Sequence, residues 1–133
     1  FRSSVKLLLD THVLLWAMQD SRQLSTLARK RIGAAEAAYV SAASLWEIAI
    51  KAQLGKLSLD SEVLEEQLAL SGLQQLPVTW QHTVQVRKLP MHHRDPFDRM
   101  LVAQAMSEPL RLLTHDKGLR VYSDLVMVVG PDG

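Results

Sequence analysis

The chain contains no cysteine, so neither disulfides nor thiolate metal ligands can shape it. The cytoplasm is then the default expectation for its compartment. It also lacks any apolar run near the roughly 18 residues that a membrane span requires. The longest, Leu7–Leu9 and Val126–Val129, are short and suited to strands. No basic stretch precedes a long apolar one at the start, so no signal peptide is expected. An excess of one charge is missing too. Fifteen basic residues against 14 acidic leave a net charge of +1, not the basic footprint of a protein that grips nucleic acid by charge alone. A nuclease stays open, because a carboxylate cluster filled with metal turns a negative patch cationic. No repeat, linker or low-complexity segment interrupts the 133 residues. With 47% hydrophobic and 22% charged residues, the chain can bury a core without staples. One domain is expected over residues 5–129, with 1–4 and the turn-rich 130–133 as flexible termini.

What is present is an alternation of short strands and helices. Val5–Leu9 reads as a strand buried on both faces of a parallel sheet. Asp10-Thr11 can cap a helix through Leu14, Leu15 and Met18. A second helix, Leu24–Ile32, has Ser25 as its cap and carries Arg29, Lys30 and Arg31. Ala38–Ser41 predicts a strand, and Ser44–Leu54 a helix closed by Gly55 in the position a left-handed C-cap favours. Asp60 or Ser61 opens a helix ending near Gly72, Leu73–Val78 holds a short strand, and Thr79 opens a helix to Lys88. Asp95-Pro96 combines a cap with a first-turn proline and starts a helix that stops before Glu108-Pro109. Leu110–Thr114, a helical turn over Asp116–Arg120, and Leu125–Val129 complete the pattern. The expected fold class is α/β: a three-layer α/β/α sandwich with a mainly parallel central sheet. Ligands bind such sheets beyond the carboxyl ends of the strands.

Four acids fall at that edge. Asp10 follows the first strand and Asp116 the strand ending at Thr114; Glu47 and Asp98 lie early in helices. Each has a plainer reading. Asp10 and Asp116 can be helix caps, contributing about 1 kcal/mol each. Asp98, three residues after Asp95, fits a capping box. Glu47 can pair with Lys51, worth about 0.3 kcal/mol on a helix surface. Glu47 resists this best, because its neighbours Leu45, Trp46, Ile48, Ala49 and Ile50 are apolar. An acid in such surroundings is costly unless paired or bound to metal. Like charges that converge raise one another's pKa unless a cation neutralises them. Carboxylates without cysteine, and without a clear histidine pair one turn apart, suit Mg²⁺ or Mn²⁺ over Zn²⁺. Such ions activate an attacking water, neutralise a phosphodiester and stabilise the leaving oxygen.

The segments Leu7-Leu8-Leu9-Asp10-Thr11-His12, Val40-Ser41-Ala42-Ala43-Ser44-Leu45-Trp46-Glu47-Ile48, His93-Arg94-Asp95-Pro96-Phe97-Asp98-Arg99 and Leu113-Thr114-His115-Asp116 resemble the ordered motifs of PIN domains. More narrowly, the chain resembles the VapC-type toxins of toxin–antitoxin pairs, over about Val5 to Val129. The resemblance implies a Mg²⁺- or Mn²⁺-dependent endoribonuclease that works as a homodimer and is inhibited by a cognate antitoxin. Asp10, Glu47, Asp98 and Asp116 match the four motif acids, as catalytic residues and metal ligands. Thr11, Ser41, Ser44 and Thr114 match small hydroxyl positions that orient the acids or water on the ion. Asp95 either supports the third acid or caps its helix, and the cap is the preferred role. Arg99 would steady phosphate or, as an exposed side chain, pair with a helix acid.

Beside these, His92, His93 and Arg94 form a polar loop that can meet RNA phosphates, with a merely solvated loop as the plainer reading. His82 and His115 read as structural, with His115 also placed to line the site. Trp16, Trp46 and Trp80 could stack on bases, but their helical positions among aliphatics favour core packing or an oligomer interface. Arg29-Lys30-Arg31 is the RNA-tracking candidate outside the site, against a solvated helix face. A catalytically silent module acting by antitoxin or RNA binding is the alternative function. A phosphatase with an aspartyl nucleophile wants a second acid two residues after Asp10, where His12 stands.

Overall fold

The three leucines of β1 (Lys6–Leu9) are buried because the sheet is covered on both faces. In the computed structural model, which describes residues 4–130, strand alternation sends them to two separate cores. Leu7 and Leu9 join Val13, Leu14, Ala28, Ile48 and Leu64 on one face. Leu8 joins Leu101, Val102, Ala105, Leu112 and Leu119 on the other. The first core belongs to α1 (Thr11–Met18), α2 (Thr26–Ala34), α3 (Ala42–Gln53) and α4 (Ser61–Ser71). The second belongs to α5 (Trp80–Lys88), α6 (Pro96–Ser107) and a 3-10 turn (Lys117–Val121). Each buried leucine contributes roughly 2 kcal/mol, and the outcome is the expected three-layer sandwich.

The remaining strands are β2 (Ala37–Ser41), β3 (Gln74–Leu76), β4 (Arg111–Thr114) and β5 (Val126–Val128). All pairings are parallel, in the order β3-β2-β1-β4-β5. The chain therefore builds outward from β1 in one direction, then crosses back to add β4 and β5 on its other side. The carboxyl ends of β1 and β4 form the point where strand order reverses, the crevice where open α/β sheets bind ligands. Asp10 leaves β1 there, with its backbone N–H bonded to Leu113 O at 3.0 Å.

Most expected boundaries lie within a residue or two of those observed. The clearest shift is α3, which starts at Ala42 because Ser41 at the strand end is its cap, accepting from Ala43 N–H at 3.0 Å. Gly55 takes φ +71° beyond the end of that helix, as its position predicts. Of the termini expected to be flexible, residues 1–3 and 131–133 lie outside the described residues.

Candidate metal centre

Asp10 uses its two oxygens separately. Oδ1 accepts from Val13 N–H at 2.7 Å and caps α1, while Oδ2 accepts from the Thr114 hydroxyl. The cap and the site are thus compatible roles for one residue, which is 3% exposed. Thr114 Oγ also accepts from Asp116 N–H at 3.1 Å, so one hydroxyl ties the acid after β1 to the acid after β4. Asp116 caps the 3-10 turn through Gly118 N–H at 2.8 Å. A Cβ on Gly118 would stand 3.0 Å from that carboxylate oxygen, so glycine is what lets the acid settle on the turn.

Asp98 sits in the first turn of α6, half-buried. Of the capping box that is its plainer reading, only the half made by Asp95 forms. Asp95 caps the helix, accepting from Phe97 N–H at 2.8 Å and Asp98 N–H at 3.1 Å, while Asp95 N–H donates to His93 Nδ1 at 3.3 Å. Burial pushes the Asp98 carboxyl up to about 7, with further upward pressure from Asp95, Asp10 and Glu47 and an opposing pull from His93. The acids from β1, α3 and α6 therefore share one electrostatic neighbourhood.

Glu47 is 5% exposed. Its Oε2 pairs with Lys51 Nζ at 2.9 Å, as the plainer reading expects, but its buried Oε1 has no hydrogen-bond partner among the described residues. An unsatisfied buried carboxylate oxygen needs a reason. Thr11 and Ser44 bond to each other at 3.0 Å and knit α1 to α3, while Ser41 is the cap of α3. Of the four hydroxyl residues, Thr114 is the one bonded directly to an acid side chain.

The structure brings His93 into the cluster and leaves its two loop neighbours out. With Nδ1 accepting from Asp95 N–H, the proton falls to Nε2, which lies 3.0 Å from Asp116 Oδ2 and 3.6 Å from Asp98 Oδ2. His92 is exposed with its ring against Tyr122, and Arg94 is exposed on the rim of an apolar groove. Arg99 has neither role expected of it. It is 8% exposed and donates to the carbonyls of Val86, Leu89, Pro90 and His93 and to the Tyr122 hydroxyl. Residue type and spacing carry no signal for this, because the partners lie in loops folded back from elsewhere.

His115 Nδ1 stands 3.6 Å from Asp10 Oδ2. The neighbouring Asp10 carboxylate raises its pKa, with Asp116 and Asp98 adding to the effect against burial. Its ring packs edge-on against His12 and Trp16, at 4.9 and 5.0 Å, so it lines the site. His82 is structural, bonded to Glu108 at 2.6 Å and to Thr79 N–H at 3.0 Å. Trp46 and Trp80 are 64% and 90% exposed, so of the expected core packing or oligomer interface the first does not hold for either. Arg29 pairs with Asp20 at 2.7 Å. Lys30 and Arg31 line a groove with Val5, before the amino end of β1 and so away from the acids.

The donor set fits a hard divalent cation. The polar atoms of Asp98, Asp116 and His93 lie within 4.8 Å of one another; His93 Nε2–H donates there, so the carboxylates are the ligands on offer, and buried Glu47 Oε1 has no hydrogen-bond partner among the described residues.

Residues 7–125 match the family model of the PIN domain. Ribonuclease VapC22 of Mycobacterium tuberculosis is 32% identical over 118 residues, covering 86% of this chain and 90% of that protein. The fold is similar to that of VapBC2 from Rickettsia felis, solved bound to a DNA fragment from its promoter, with TM-score 0.67 and 14% identity over 94% of this chain and 98% of that one. It is also similar to a toxin-antitoxin complex from Klebsiella pneumoniae, with TM-score 0.63 and 19% identity over 94% and 97% of the two chains.

Proposed function

Because the chain belongs to the PIN domain family, we propose that it is a divalent-metal-dependent endoribonuclease, the toxin of a toxin–antitoxin pair. Residues 5–129 form its nuclease domain, and Asp10, Glu47, Asp98 and Asp116 hold Mg²⁺ or Mn²⁺. The observation that carries this reading is the state of Asp98, pushed up to about 7 by burial and by the acids around it. Such a carboxylate is held in an unfavourable state that a bound cation relieves. A divalent ion at these acids supplies charge neutralisation for a phosphodiester and activation of water.

The chain's own residues prepare that chemistry. Thr114 fixes Asp10 and Asp116 relative to each other. Lys51 holds one Glu47 oxygen, and the other has no partner among the described residues. Asp95 sets the first turn of α6 and hence Asp98. Arg94, exposed on the rim of the groove beside Phe97, is our candidate to meet a phosphate of the RNA. The relative named as a ribonuclease and the neighbour described as a toxin-antitoxin complex support RNA as substrate and an antitoxin as partner. A homodimer in the cytoplasm completes the reading. Among the described residues, no helix is long and apolar enough to cross a membrane.

The test is cleavage of a panel of structured RNAs. Asp98→Asn is expected to abolish cleavage while leaving the circular dichroism spectrum like that of wild type and the metal-free fold no less stable. EDTA should stop the wild-type reaction, and Mg²⁺ or Mn²⁺ should restore it. Full activity in Asp98→Asn, or cleavage that persists in chelator, would overturn the assignment.

A further inference from the structure

Arg99 is a buried cation whose hydrogen bonds run to four carbonyls and a phenol rather than to a carboxylate. Burying a guanidinium this way is costly unless its geometry serves many acceptors at once. The phenol is Tyr122, at the end of the 3-10 turn. Its oxygen accepts from Arg99 Nη1 at 3.1 Å and from His93 N–H at 2.8 Å, and it lies 3.4 Å from His93 O, to which it donates. Both main-chain polar groups of His93 are thus held by one hydroxyl. The His93 ring is fixed from its other side by Asp95 N–H on Nδ1, which selects the Nε2–H tautomer and aims it at Asp116 and Asp98.

We infer that Tyr122 is a positioning residue of the metal centre: its hydroxyl, anchored by Arg99, clamps His93 so that the imidazole holds Asp116 in its ligating orientation, with Asp98 alongside. The clamp rests on the metal-nuclease reading of the acids, but its geometry is independent of any ion. Histidine that donates to a ligating carboxylate fixes the orientation of that carboxylate, and loss of such a partner typically costs about 10- to 100-fold in metal affinity or activity. The chain joins three separate segments: the loop before α6, α6 itself, and the 3-10 turn that Asp116 caps.

Arg99→Ala strips hydrogen bonds from several carbonyls and endangers the fold, so the test uses Tyr122→Phe, which keeps the ring and removes the hydroxyl. Imidazole ¹⁵N spectra of the metal-free protein should show His93 as the Nε2–H tautomer in wild type and as a tautomeric mixture in Tyr122→Phe. Mn²⁺ titration calorimetry should show affinity lowered about tenfold in Tyr122→Phe, with the thermal midpoint little changed. Since Tyr122 acts through His93, Tyr122→Phe/His93→Ala should bind Mn²⁺ no worse than His93→Ala alone. Wild-type ¹⁵N shifts and affinity in Tyr122→Phe would overturn the clamp, and so would losses that add in the double variant. If wild type binds no Mn²⁺, the metal reading fails and the ¹⁵N spectra alone decide whether the clamp exists.

Discussion

Asp98 concentrates the electrostatic cost of the site in one titration. Its carboxyl moves from an ordinary 3.8 to about 7 because ionisation would place a charge in a half-buried position beside Asp95, Asp10 and Glu47. The folded chain therefore holds this proton more tightly than the unfolded chain. The associated stabilisation is complete below about pH 4 and is lost as pH rises through about 7. Metal-free wild type is expected to melt at progressively lower temperature between about pH 4 and 7 and to level off above, and Asp98→Asn should flatten that trend. A parallel slope in the two proteins would show that Asp98 is not its source. The same proton links pH to metal. Below about pH 7 a cation must displace it, so Mn²⁺ affinity should fall about tenfold per pH unit there and level off above. Calorimetry in buffers of different ionisation enthalpy reads the released proton directly. Binding without proton release near pH 6 would remove Asp98 from the ligand set.

At the scale of elements, the caps do double duty. Asp95 holds the start of α6 through Phe97 and Asp98 N–H, and its charge also raises the Asp98 carboxyl. The two effects separate by substitution. Asp95→Asn keeps an oxygen acceptor and should lower the Asp98 pKa at little cost in stability. Asp95→Ala should lower it too, while costing about 1 kcal/mol through the lost cap. Urea midpoints and ¹³C-detected carboxyl titration measure both; an unmoved Asp98 in Asp95→Asn would break the link. Capping is also the level at which the sequence is most legible. Asp10, Ser25, Asp60, Asp95 and Asp116 each precede a helix or turn and cap it, because a short polar side chain before an apolar period has few other uses. Those caps place three of the four acids at the carboxyl edge of the sheet. Arg99, Tyr122 and His93 were not legible in the same way. Their contacts bridge separations of 23 and 29 residues through irregular backbone, and no periodicity encodes which loop folds back on which helix.

On the scale of the whole molecule, the reversal of strand order between β1 and β4 explains why distant segments converge on one crevice. It also leaves a second feature beside the acids. Trp46 precedes Glu47 and Phe97 precedes Asp98, so α3 and α6 each carry an acid next to an aromatic residue. The aromatics meet edge to face at 5.3 Å in an apolar groove of about 560 Å³ lined also by Ala42, Ala43, Val78 and Met100. Trp46 is 64% exposed, a costly arrangement for an isolated chain and a common one at the centre of an association surface. A second copy of the chain is the occupant expected from the homodimer proposed above. Light scattering of wild type should then report about twice the chain mass of 14.9 kDa. Trp46→Lys puts a charge where the partner's apolar surface would sit, so it should yield single chains with an unchanged circular dichroism spectrum. If wild type is monomeric at micromolar concentration, the homodimer proposal fails. If Trp46→Lys remains dimeric, the groove is not the contact.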